Sequence, residues 1–219
     1  MGGRTRIITI ACAKGGAAKT TTAMLLAGSL AKRGLTVAVL DADNTGGATK
    51  WAETVEDAAF EAEATGRTAR RLPFAVTPIN QALLDRRRVE ARHPGAWVII
   101  DTPPSDTGTI QKAIDIGDVT VIPTQTGAAD LTLAGETYAA CARAIVLLTR
   151  VKRRTRSARQ AVEDLDSAGI TRFDTLIPER EAIRAAYGTA VTDVAYAEAA
   201  TELVDFMRGM ERASETEGE

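Results

Sequence analysis

Apolar runs of strand length alternate along this chain with longer segments in which apolar residues recur every three or four positions, the signature of strands and helices in succession. Arg4–Cys12 reads as a strand, and Lys19–Arg33 as a helix that Gly34 ends. Leu35–Leu40 is a second apolar strand, and Gly46–Ala64 a helix whose apolar side carries Trp51, Val55 and Ala59. A short strand at Leu72–Val76 and a helix at Ile79–Arg92 lead to the strand Trp97–Asp101. Val119–Pro123 and Ile145–Leu148 read as strands flanking a helix at about Asp130–Arg143, and Leu176-Ile177-Pro178 as a short last strand before a helix at Thr192–Met210. Strand–helix–strand spacing of this kind implies parallel pairing, because a parallel crossover needs a dozen or more residues. The expected fold is α/β: a mostly parallel, twisted sheet with helices on both faces. Residues 1–210 form one domain in this reading, and residues 211–219, with Glu211, Glu215, Glu217 and Glu219, an acidic and disordered tail.

Composition narrows the classes. The 219 residues suffice for one domain with a substantial core. A formal net charge of −2 means that nucleic-acid binding would need a local patch. Cys12 and Cys141 make no CxxC pair, which argues against a structural metal or redox centre, and the only histidine, His93, sits in a loop beside Pro94. With no signal peptide and no apolar run of membrane-spanning length, the expectation is a cytoplasmic protein with no membrane partner.

The candidate chemistry begins where the first strand meets the first helix, in Ala11-Cys12-Ala13-Lys14-Gly15-Gly16-Ala17-Ala18-Lys19-Thr20-Thr21-Thr22. Unpaired N–H groups at a helix N-terminus, preceded by small residues, make a seat for phosphate. Lys19 is placed to reach terminal phosphates and the Thr20 hydroxyl to bind Mg²⁺. Asp41 and Asp43 follow the second strand and Asp101 ends a third, so a parallel sheet would deliver them to the same edge as the loop.

Lys-Gly-Gly-x-x-Lys-Thr with a second lysine in front resembles the deviant Walker A motif of the ParA/MinD ATPase family, a family of single-domain P-loop NTPases. The resemblance extends from Ile7 to about Met210. It implies nucleotide contacts from Lys14, Gly15, Gly16, Ala17, Ala18, Lys19, Thr20 and Thr21, with adenine-edge contacts at Thr149, Arg150 and Pro178. It further implies catalytic roles for Lys14, Lys19 and Asp43, with Asp43 acting on the attacking water and Lys14 reaching the partner's ATP across a dimer interface. Asp101-Thr102-Pro103-Pro104 matches the Walker B strand and switch segment, so Asp101 would hold Mg²⁺ with Thr20. The sequence departs from the family at Ala18, where glycine is usual, and at Asn44-Thr45, where proline and glutamine are usual.

Lys152, Arg153, Arg154, Arg156 and Arg159 follow Arg150 with no acid among them, an asymmetry suited to sequence-independent phosphate binding. Arg180 follows the last strand at a position where small ParA proteins often face DNA. The resemblance therefore implies a small ParA-type partition ATPase without an N-terminal helix-turn-helix. Its cofactors would be ATP and Mg²⁺. Its partners would be a second copy of itself, nonspecific DNA and a centromere-binding, ParB-like adaptor, and it would be nucleoid-associated. A MinD-like regulator should end in a basic amphipathic helix, where this chain carries glutamates. A P-loop amide synthetase, which shares the same loop, and a non-catalytic nucleotide-binding scaffold are the remaining rivals.

Overall fold

A computed structural model describes residues 3–216 of the chain. Six strands form one sheet in the order β3-β2-β4-β1-β5-β6, and every pairing is parallel. They are β1 (Arg6–Ile10), β2 (Val37–Asp41), β3 (Ala75–Pro78), β4 (Trp97–Asp101), β5 (Val119–Thr124) and β6 (Ala144–Leu148). β2, β4, β5 and β6 are buried along their whole length, as expected of strands covered on both faces.

Alternate residues of β1, β2, β4, β5 and β6 feed different cores. Ile8, Val39, Ile99, Val121 and Leu147 pack beneath α1 (Lys19–Lys32), α2 (Gly47–Ala64) and α8 (Val194–Thr216). On the opposite face Ile7, Leu40, Val98 and Ile100 meet α3 (Arg86–Arg92) and α4 (Thr107–Ile116). On that face Ile122, Val146 and Leu148 pack with α5 (Ala128–Ala139) and α6 (Arg156–Ser167). A period-2 pattern that is apolar at every position can serve both layers at once.

Four expectations change. The third strand begins at Ala75 rather than Leu72, because Leu72 and Phe74 turn into the core beneath α1. The helix expected at Ile79–Arg92 divides into a 3₁₀ turn at Gln81–Leu83 and α3, where the Asp85 carboxylate accepts from Arg88 N at 3.0 Å and restarts the helix. Leu176–Pro178 does not build a ladder; among the described residues it contributes the single bridge Val151↔Pro178. Finally, α8 continues to Thr216, so residues 211–216 of the expected tail are helical, and Arg6 ties Glu211 to β1 at 2.9 Å. Residues 217–219 lie outside the described residues.

Candidate nucleotide site

Parallel register decides which acids meet. Asp101 aligns with Ile10 on one side and Asp41 on the other, so the last residues of β1, β4 and β2 form one row at the carboxyl edge of the sheet. The loop after β1 lies over that row. Gly16 and Ala18 both have left-handed backbone, with φ of 75° and 68°, just before α1 begins. Glycine adopts this conformation freely, whereas alanine meets a steric cost.

The two lysines take different places. Lys19 is 7% exposed and donates to the Lys14 carbonyl at 3.1 Å, closing the loop on itself. Burial draws its ammonium below the ordinary lysine value, against the opposing pull of Cys12, Asp101 and Asp43. Lys14 points outward and pairs with Asp130 in the first turn of α5. Asp130 was not singled out in the sequence, where it is one more acid at the start of a helix.

Asp101 is fully buried, and neither carboxylate oxygen has a hydrogen bond of ordinary geometry. Burial pushes its pKa up to about 7, with Asp41 and Asp43 adding to the rise, while the nearby Thr20 hydroxyl and Lys19 work against it. Two orphaned carboxylate oxygens beside a threonine hydroxyl fit a hard cation that keeps other ligand positions for water or phosphate. No group of three or more His, Cys, Asp or Glu side chains gathers into a metal cage among the described residues.

Asp41 and Asp43 separate by task. Asp41 is buried, and its carboxylate accepts from Thr49 N and Thr49 Oγ1, both at 2.8 Å, and from Asp43 N at 3.2 Å. It therefore anchors the start of α2. Asp43 is half-buried and accepts from Thr45 N at 2.9 Å. Gly47 brings this loop close to the phosphate loop: a Cβ there would lie 3.2 Å from Thr20 Oγ1.

Beside α1 lies a pocket of about 210 Å³. Thr149, Arg150 and Pro178 line it together with Ala18 and Thr21, so the expected base-edge residues converge on the loop. Arg180 and Arg184 are also there, and Arg180 pairs with Asp193 at 3.5 Å. Arg180, expected with the DNA-binding residues, thus stands at the nucleotide-side pocket. Tyr187 and Tyr196 complete the walls; burial pushes the Tyr196 phenol up to about 12, and its hydroxyl lies 3.2 Å from Thr22 Oγ1. Neither tyrosine carries a sequence signal, because each sits in an irregular or amphipathic stretch with no motif.

Lys152, Arg153, Arg154, Arg156 and Arg159 are exposed around the N-terminus of α6. Arg153, Arg154 and Arg159 line a groove of about 670 Å³ together with Glu163, Asp174, Glu198 and Glu202. Lys152 reaches Glu179 at 3.8 Å. The run is basic in sequence and mixed in space.

Residues 8–192 match the family described as the CobQ/CobB/MinD/ParA nucleotide binding domain. The chain belongs to that family. Among curated relatives of this nucleotide-binding family, "Maintenance of carboxysome distribution protein A" of Gloeobacter kilaueensis is 33% identical over 185 residues, covering 78% of this chain and 76% of the relative. The cell division ATPase MinD of Pyrococcus furiosus has a similar fold, with a TM-score of 0.71 at 21% identity over 94% of this chain and 100% of MinD. A plasmid partition protein of Borrelia burgdorferi gives a TM-score of 0.64 at 19% identity over 92% and 99%. At such identities the two structural likenesses speak for the fold, and the single parallel α/β domain expected from the sequence is the one found.

Proposed function

We propose that this chain is a ParA-type ATPase that uses ATP and Mg²⁺ to switch a sandwich dimer on and off and so to distribute a cargo. The observation that carries this reading is the division between the two loop lysines, one buried inside the loop and one held outside it. Lys19 would neutralise phosphate charge within its own subunit. Lys14, unable to share that space, would cross to the nucleotide of the partner copy and offset the charge that dimerisation brings together.

Thr20 and Asp101 would hold Mg²⁺, which would supply positive charge to offset that of the phosphates. Asp43 would orient the attacking water, while Asp41 keeps the loop after β2 in place. Thr149, Arg150 and Pro178 would contact the base, with Ala18 and Thr21 on the loop side of the same pocket. ATP-dependent DNA binding would use the Lys152–Arg159 run, and a ParB-like adaptor would stimulate turnover and release. No helix among the described residues is long and apolar enough to cross a membrane.

A second reading has the same ATPase distributing a cargo other than a replicon, and the 33% identity to a carboxysome-distribution protein favours it. One experiment addresses both. Binding to DNA of unrelated sequences is measured with ATP, with ADP and without nucleotide, alongside light scattering for the dimer. ATP-specific dimerisation and DNA binding are expected. Nucleotide binding with neither would overturn the partition and positioning readings and favour a small-molecule ligase.

A further inference from the structure

We infer that a second cavity, between α1, residues 70–74 and residues 189–192, binds an amphiphilic anion: a molecule with an apolar chain and one carboxylate or similar group. The cavity holds about 450 Å³, a volume ordinary for small-molecule sites. Met24, Leu25, Trp51, Leu72 and Phe74 form an apolar interior, and Gly28 leaves its floor without a side chain. Around the mouth stand Lys32, Arg70 and Arg71, and no acid lines the cavity. Arg71 is engaged by Glu56 and Glu63. Lys32 and Arg70 are exposed and have no ion-pair partner among the described residues. An apolar interior disfavours a bare inorganic anion, and two uncompensated cations disfavour a neutral hydrocarbon. A ligand combining the two properties satisfies both parts of the site.

The cavity backs onto the nucleotide-side pocket. Trp51 lines the former and Tyr187 the latter, and their ring centroids are 5.2 Å apart. Trp51 Nε1 donates to the Thr189 carbonyl at 2.9 Å, so the wall formed by residues 189–192 is fastened to α2. Gly188 joins the two stretches with φ of 69°, and a Cβ there would come within 2.6 Å of Thr54 Cγ2. A ligand that moves Trp51 or this wall must therefore shift Tyr187. This coupling rests on the nucleotide reading above; binding of the amphiphile does not.

The test titrates the full chain with decanoate below its micellar concentration, following tryptophan emission and heat. Saturable one-to-one binding is expected, with decyltrimethylammonium and decanol binding at least about tenfold more weakly. The double variant Lys32→Glu/Arg70→Glu should weaken decanoate about tenfold or more, and Ala31→Phe should block the cavity, with circular dichroism confirming the fold of each. Equal binding of the cationic amphiphile, non-saturating uptake, or unchanged affinity in the double variant would overturn the site. Binding only to vesicles of anionic lipid, without free decanoate, would overturn it in favour of a membrane surface. Saturating decanoate should change ADP affinity about fivefold or more. Unchanged ADP affinity overturns the coupling, whereas failure to bind ADP under any condition overturns the nucleotide reading instead.

Discussion

Lys14 and Asp130 form an ion pair that joins the front of the phosphate loop to the first turn of α5, across 116 positions of sequence. The Lys14 side chain is 40% exposed and that of Asp130 14%, so the pair is partly screened. Such pairs are worth about 0.2–1 kcal/mol, small enough for a second copy's nucleotide to outcompete. Asp130→Asn should release Lys14 and raise ATP-dependent dimerisation by up to about fivefold. Lys14→Ala should abolish dimerisation while keeping most monomer affinity for nucleotide. Light scattering of both variants with ATP and with ADP decides the matter; normal dimerisation of Lys14→Ala would make Lys14 an ordinary surface lysine.

Asp101 is a buried carboxyl with no hydrogen-bond partner of ordinary geometry on either oxygen. Between the ordinary carboxylate value and about 7 the folded chain keeps a proton that the unfolded chain has lost, so metal-free stability falls as pH rises through that interval. Asp101→Asn should therefore stabilise the metal-free protein by about 1–2 kcal/mol at pH 8, with the gain largely gone at pH 5. Urea unfolding in chelator at the two pH values measures this. The same variant should lose the Mg²⁺ dependence of nucleotide binding.

The two acids at the end of β2, Asp41 and Asp43, should respond in opposite ways. Asp41→Ala leaves buried donors unpaired at the start of α2 and should cost about 1–3 kcal/mol of stability. Asp43→Ala should change stability by no more than about 0.5 kcal/mol, while turnover falls at least about 100-fold. Thermal unfolding and a phosphate-release assay separate them. Full ATPase activity in Asp43→Ala would remove Asp43 from the reaction.

Ala18 occupies a left-handed backbone position at the helix N-terminus. The strain relieved by glycine there, about 1–2 kcal/mol, exceeds the entropy that glycine loses on folding, about 0.5–1 kcal/mol. Ala18→Gly should thus raise Tm slightly and tighten nucleotide binding, whereas Ala18→Val should lower both. A lower Tm in the glycine variant would show that the loop relaxes without it.

Reversing Arg153 and Arg154 to Glu should weaken DNA binding alike for all sequences and flatten its salt dependence, since fewer counterions are released. Filter binding across a salt series gives the slope. An unchanged slope would place the footprint elsewhere.

The local elements were legible because local pattern encodes them. Apolar strands covered on both faces, a glycine turn, and acids at strand ends together specify a parallel sheet with the phosphate loop and Asp101 on one edge. Trp97–Asp101 has the bounds expected from the sequence, and α1 begins at Lys19 as its pattern requires. Pairings between distant segments were not legible, because no periodicity records them. Only tertiary packing sends Lys14 to Asp130, sets Arg180 beside the pocket rather than with the α6 arginines, and brings Glu198 and Glu202 of α8 into one groove with Arg153 and Arg154. Packing also extends α8 beyond its apolar stripe, where the Arg6–Glu211 pair holds a charged turn against β1 that composition alone assigns to a tail. A helix or strand follows from neighbours a few residues apart, whereas a site depends on which surfaces close against each other, and burial over the whole chain decides that.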